Sequence, residues 1–317
     1  MVATKPPVRV RADESGIAAA AEVIARGGTV AVPTETVYGL AARADSADAV
    51  AGIYRAKGRP DFNPLIVHVP DVAAAEQLAT FDARARLLAE AFWPGALTMV
   101  LPRRGDAVLA AAVSAGLPTV ALRCPAHGAM QALLRVTGLA LAAPSANRSG
   151  GVSPTTADHV AASLGGRVDL IIDGGATEQG LESTIVGLRD DGTWAVLRPG
   201  PITADAIARV LGDAVEAMTS DARGIEAPGQ LASHYAPGKP VRLGAQVAEP
   251  GEFHIGFGAV AGDISLSTSG DLAEAAARLY ACLHAAADAE DARIAVAPIP
   301  EQGIGIAIND RLRRAAA

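Results

Sequence analysis

Aromatic residues are scarce: they make up 3% of the 317 residues. A core with few large rings must be filled by Ala, Val, Leu and Ile, and half of the chain is hydrophobic, so an aliphatic core is available. The same scarcity counts against single-stranded nucleic-acid binding, where bases stack on aromatic side chains. Positive charge is also short. The formal net charge is -7, whereas a surface that docks broadly on nucleic acid is usually basic. A local basic site stays compatible with that total. Cys124 and Cys282 stand far apart without metal-ligand spacing. That argues against a disulfide framework or a zinc site and fits reduced thiols in a cytoplasmic protein. Gly, Pro or a charge interrupts every apolar run before membrane-spanning length, so no membrane partner is expected. Met1 to Ser15 carries charges and prolines and no apolar core, so no secretory leader is expected.

What is present points to an α/β protein of two domains. The length exceeds one comfortable core, and 33 glycines and 20 prolines suit many tight strand ends. Helices are expected over 15–26 with Ser15 as N-cap, and over 46–57 with Gly58 as C-cap. Others are expected over 82–91, 126–135 and 203–211. Strands are expected over 29–32, 65–69, 97–101, 119–123, 139–142, 170–172, 184–188 and 195–197. Helices alternate with strands early and strands cluster late, which predicts a twisted, mixed α/β sheet rather than a doubly wound one. Periodicity fails over 216–240, read as a linker. Strands over 253–257 and 294–297 with helices over 272–287 and 304–314 then form a second, smaller α/β domain. The expected domains are 1–215 and 241–317. Gly256-x-Gly258-x-x-Ala261 follows a strand but does not open a helix, so it is read as a turn and not a dinucleotide fingerprint.

Three segments could carry chemistry. Arg55, Lys57 and Arg59 crowd cations at a helix end. A solvated helix terminus would accept them, but Asn63-Pro64 leads at once into a strand, which puts them at a strand mouth and favours phosphate binding. Ser145, Asn147 and Ser153 lie on a polar loop, 144–155, after a buried strand. Both an anion-binding loop and a Ser/Gly turn capping the next helix fit it. Thr34 and Thr36 leave a strand and would share one side of an extended chain. His68 alternates with apolar neighbours, as a structural histidine does. Arg123 ends a strand and, if buried, needs an anion from protein or ligand. Ser183 begins a strand and Arg198 ends one. No serine-histidine-acid triad or Walker loop is present.

The ordered set of motifs resembles the Sua5/YrdC/YciO family of threonylcarbamoyl-AMP synthases. It comprises PTETVYGL (33–40), KGRP (57–60), NPLIVHV (63–69), WPGALT (93–98), APSANRSGGVSPT (143–155), STIV (183–186) and LRPGP (197–201). The remainder resembles the longer Sua5 form, with a PG…HYAP linker here containing Pro228, Gly229, His234 and Tyr235. Gln230 to Ser233 departs from the more basic, apolar family version. The resemblance implies a YrdC-like catalytic domain, a linker that acts as a lid, and a Sua5-type C-terminal domain. It implies synthesis of threonylcarbamoyl-AMP from L-threonine, bicarbonate and ATP, with Mg2+ accompanying ATP and with product passed to a tRNA threonylcarbamoyl transferase complex for the t6A modification at tRNA position 37. It places Lys57, Arg59, Ser145 and Asn147 at the reaction centre. Arg59, Asn63, Thr119, Ser145, Ser153, Arg198 and Tyr235 fall on the ATP side. Thr36, Thr34, His68, Arg123, Ala143 and Ser183 fall on the threonine side. Rival readings are an RNA-binding module using the same cleft, a carbamoyltransferase, and a C-terminal domain that is regulatory or a partner-binding surface.

Overall fold

A computed structural model describes residues 7–59, 63–189, 191–212, 227 and 234–317. Most of the linker expected over 216–240, and Pro60 of the KGRP motif, lie outside the described residues. One ten-stranded sheet is built from β1 (Val8–Arg11), β2 (Val30–Pro33), β3 (Tyr38–Arg43), β4 (Ile66–His68), β5 (Leu97–Pro102), β6 (Thr119–Arg123), β7 (Leu141–Ala142), β8 (Leu170–Asp173), β9 (Thr184–Leu188) and β10 (Trp194–Arg198). Their order is β1-β8-β2-β3-β7-β4-β6-β5-β9-β10. Parallel pairs (β4 with β6, β5 with β9) mix with antiparallel ones (β2 with β3, β5 with β6), as the sequence predicts. A second sheet, all parallel, holds β11 (Val241–Leu243), β12 (Glu252–Gly256), β13 (Ile264–Ser265) and β14 (Arg293–Val296).

The helices are α1 (Glu14–Ala25), α2 (Ala47–Lys57), α3 (Val72–Glu76), α4 (Ala83–Phe92), α5 (Ala111–Ser114), α6 (Gly128–Thr137), α7 (Ala157–Leu164), α8 (Ala204–Leu211), α9 (Leu272–Asp288) and α10 (Gly305–Ala315). Asp13, not Ser15, caps α1: its carboxylate accepts the Gly16 N–H and also the Ser15 hydroxyl. A carboxylate beats a hydroxyl there because it meets the helix dipole as well as the free N–H groups. Ser46, expected as the first helical residue, instead caps α2, and Gly58 ends it as expected, in the left-handed region with φ 60°. That turn aims Arg59 away from the helix axis.

Strand parity sorts the side chains. Val67, Val120, Leu122, Leu97, Met99 and Val186 point to the face covered by α2 and α4 and join the main core. Alternate residues Ile66, Val100, Ala121 and Ile185 point the other way, where Ala227 of the linker packs on them. At the other end of the sheet α1 and α6 cover that second face. Between those two covers the second face stays open, and the cleft lies there. The C-terminal core extends across the domain boundary: Val37, Val152, Leu181 and Tyr235 pack with Leu279, Leu283 and Leu312. α8 stays with the first core through Ile207. The Gly256–Val260 segment is a turn, with paired Phe257 and Val260 backbone groups.

Candidate active site

β4 and β6 run parallel in register, Ile66 opposite Ala121 and His68 opposite Arg123. His68 and Arg123 therefore emerge side by side on the open face, next to Ala143 at the end of β7. Arg198 arrives by a different route. A β-bulge in β10 moves the pairing from Val196 opposite Val186 to Arg198 opposite Ile185. The extra residue lets Leu197 and Arg198 both serve the cleft face, where strict alternation would send Arg198 to the core. Its guanidinium donates to the Ser183 carbonyl and hydroxyl, at 3.1 Å each, and Ser183 also shares a hydrogen bond with Thr98.

Thr34 and Thr36 meet by a bend between β2 and β3, not by extension. The Thr34 hydroxyl donates to the Val37 carbonyl, so in its 2.8 Å contact with Thr36 the Thr36 hydroxyl is the donor. Both face the cleft. Arg123 has a partner that sequence reading left unassigned: its Nη2 donates to Glu35 at 2.6 Å, and the other Glu35 oxygen accepts the Ala126 N–H. Burial alone would raise the Glu35 pKa, but Arg123 outweighs it and holds the carboxyl below its usual range. Burial, with Arg123 alongside, holds His68 down at about 3. The neutral ring presents a buried Nδ1 without a protein partner.

At the other end Arg59 donates to the Asn63 and Pro64 carbonyls. Burial lowers its pKa to about 10, with Arg198 adding repulsion. Tyr235 closes this end. It sits at φ 64°, is 1% exposed, and lies between the His234 and Tyr280 rings. The Ala236 N–H donates to Gly150, and the His234 N–H donates to Arg314, so this stretch is tied to both domains.

The cleft wall thus brings together Thr34, Thr36, Arg59, His68, Arg123, Ala143, Ser145, Ser183, Arg198 and Tyr235. Lys57, Asn63, Asn147 and Ser153 are buried behind it. The Lys57 amine donates to the Ser145 and Asn147 carbonyls at 2.6 Å, and the Ser149 N–H donates back to the Lys57 carbonyl. The Asn147 amide donates to Arg148 and Gly151. In this arrangement Lys57 and Asn147 shape the loop that presents Ser145. Burial pulls the Lys57 amine well below its ordinary value, and Arg59 adds to the effect. Thr119 shares the Arg123 face of β6 but lies at the strand's opposite end. Glu35, Glu182 and His234 complete the site. Glu35 and His234 lie within the quoted PTETVYGL and HYAP motifs without an assigned role, and Glu182 directly precedes Ser183 of STIV.

Fold and cleft define a two-domain α/β protein whose cleft gathers buried cations and hydroxyls. The Sua5/YciO/YrdC family model, described as "Telomere recombination", matches residues 22–200. One described as "Threonylcarbamoyl-AMP synthase, C-terminal domain" matches residues 202–317. The chain is 42% identical to the threonylcarbamoyl-AMP synthase of Bacillus subtilis, over 95% of this chain and 92% of that one. It is 39% identical to the protein of that name from Pyrococcus abyssi, over 97% and 96%. The crystal structure of P. abyssi Sua5 complexed with L-threonine superposes with a TM-score of 0.87 at 36% identity, over 98% of this chain and 97% of that one. The chain belongs to the Sua5/YciO/YrdC family, in its two-domain Sua5 form, and is an enzyme of the nucleotidyltransferase type.

Proposed function

We propose that the chain makes threonylcarbamoyl-AMP from L-threonine, bicarbonate or CO2, and ATP, releasing pyrophosphate. The observation that carries this is a pair of buried guanidiniums. Among the described residues, Arg59 and Arg198 are held by neutral oxygens and face one cleft. Among the described residues neither makes a salt bridge, although Glu182 lies near enough to act on Arg198 electrostatically, and a bound triphosphate would supply the charge that two buried cations call for.

The threonine amine and CO2 form a carbamate. Its oxygen attacks the α-phosphorus of ATP, and pyrophosphate leaves. The nucleophile belongs to the substrate, so the protein orients the reactants and stabilises developing charge. Arg59, Arg198, Ser145 and Tyr235 serve the nucleotide, with Asn63, Ser153 and Thr119 around them. His68, Thr34, Thr36, Ala143 and Ser183 serve threonine, and Arg123 takes its carboxylate while Glu35 keeps the guanidinium in place. Lys57 and Asn147 set the loop of Ser145.

Magnesium enters with ATP as part of the substrate. Among the described residues no three His, Cys, Asp or Glu side chains converge. Both oxygens of Glu182, a carboxylate in the cleft wall, already accept hydrogen bonds. Phosphates and water would therefore supply most of the ligands. The product feeds t6A formation at tRNA position 37 through a separate transferase complex. Pyrophosphate release should require threonine, bicarbonate and ATP together. Release that persists without threonine or bicarbonate, or that needs carbamoyl phosphate, would refute this reading.

A further inference from the structure

Glu182 is a carboxylate in the wall of a cleft read here as an ATP site. Left unpaired, it would repel the triphosphate. Its Oε1 accepts from the Ser153 hydroxyl at 2.5 Å. Its Oε2 accepts from the Tyr280 hydroxyl at 2.7 Å and from Arg311 Nε at 2.9 Å. Tyr280 lies on α9 and Arg311 on α10, so the cleft carboxylate is neutralised by the second domain.

Arg311 is 0% exposed and uses all of its guanidinium. Nη1 donates to Asp310 at 2.6 Å, Nη2 to the Pro199 carbonyl at 3.0 Å, and Cζ lies 5.2 Å from the Tyr235 ring centre. Pro199 follows Arg198 directly. One side chain therefore touches the segments that carry Glu182, Arg198 and Tyr235. Burial alone would raise the Glu182 pKa, but Arg311 first, then Arg198 and the two hydroxyl donors, outweigh it and hold it at about 2. Glu182 is thus ionised whenever the enzyme works, and its charge needs a permanent partner. Close packing keeps the partner in place. Gly180 has φ 69°, and a Cβ there would lie 2.4 Å from the Ala277 carbonyl of α9.

Stability alone does not explain such a pair, because buried ion pairs can often be replaced by apolar residues without loss. Charge in a cleft that must accept an anion does.

We propose that Arg311, with Tyr280, is a positioning residue for the nucleotide: by neutralising Glu182 it lets the ATP end of the cleft accept a triphosphate. This makes the C-terminal domain part of ATP recognition, and it rests on the function proposed above.

The test uses the full chain and measures ATP Kd by calorimetry, KM for ATP and for threonine, and Tm. Arg311→Met should weaken ATP about 10-fold or more, which is about 1.4 kcal/mol, because an unpaired carboxylate then faces the phosphates. KM for threonine should change by less than about 3-fold, since Glu182 bonds Ser153, Tyr280 and Arg311 and no side chain assigned to threonine. Adding Glu182→Gln to Arg311→Met should restore ATP binding towards wild type. Tyr280→Phe, which removes one donor and keeps the ring, should fall between. A double variant no better than Arg311→Met, or equal losses for both substrates that track Tm, overturns the proposal. If Arg311→Met does not fold, Glu182→Gln alone decides: ATP must bind at least as tightly as to wild type, and weaker binding overturns it. Wild-type protein that binds no ATP overturns the ATP reading and this proposal together. ATP binding without rescue overturns only the proposal.

Discussion

Two buried Arg–Glu pairs adjoin the cleft and are built differently. Arg123 and Glu35, each with a 5% exposed side chain, come from one domain: a strand end and the bend between β2 and β3. Arg311 and Glu182, at 0% and 8%, come from different domains. On the function proposed above, the local pair would hold an arginine ready for a carboxylate ligand, and the interdomain pair would remove a negative charge from the nucleotide's path.

Removing the Glu35 carboxylate has the largest expected effect. Glu35→Ala leaves Arg123 buried and uncompensated and orphans the Ala126 N–H, so urea unfolding should show a loss of about 3–5 kcal/mol. Arg59→Ala should leave unfolding nearly unchanged. It should cut pyrophosphate release about 100- to 1000-fold, as expected for a lost charge stabiliser; unchanged turnover would remove Arg59 from the site. Gly180→Ala addresses the interdomain pair without touching either charge. Forcing a methyl group against the Ala277 carbonyl should cost about 1–3 kcal/mol, read as a lower Tm and a raised KM for ATP.

Acid gives the smallest and most graded test. His159 and His284 stack across the domain boundary with ring centres 3.8 Å apart. Burial, then the neighbouring His284, lowers His159 from 6.5 to about 4. Its folded pKa lies below its unfolded one, so the unfolded chain binds the extra proton. The stability it contributes is present above pH 6.5 and is lost as pH falls towards 4. His284, His68 and His234 are lowered in the same direction. Glu182 acts in a lower window, from 4.5 down to about 2. Its contribution is present above that window and is lost as its carboxylate is protonated. His159→Phe should flatten the upper part of a Tm–pH curve and leave the lower part. An unchanged slope would show that the stacked rings do not report on domain contact.

Much of the fold was legible. The Gly58 cap, the apolar runs of β5, β6 and β9, and the strong period of α9 are local signals, and local physics decides them. β1 and β3 escaped for different reasons. Val8–Arg11 alternates Val with Arg at a sheet edge and becomes a strand only by pairing with β8. Tyr38–Arg43 follows a threonine-rich bend that reads as a loop until β2 and β7 flank it. In the site, the wall residues on strand ends were legible from motif and alternation. Glu35, Glu182, Arg311 and Tyr280 were not, because each acquires its role from a partner between 88 and 129 residues away.

By itself the sequence determined most of the helix and strand segments, the family, and the residue types gathered at the strand ends. Those properties follow from propensity, periodicity and capping, which act over a few residues. Only the tertiary structure decided that a bulge aims Arg198 into the cleft, that Lys57 braces a loop, and that the second domain neutralises Glu182. Each of these depends on groups brought together by packing, where the distance between charges and the loss of water set the energy.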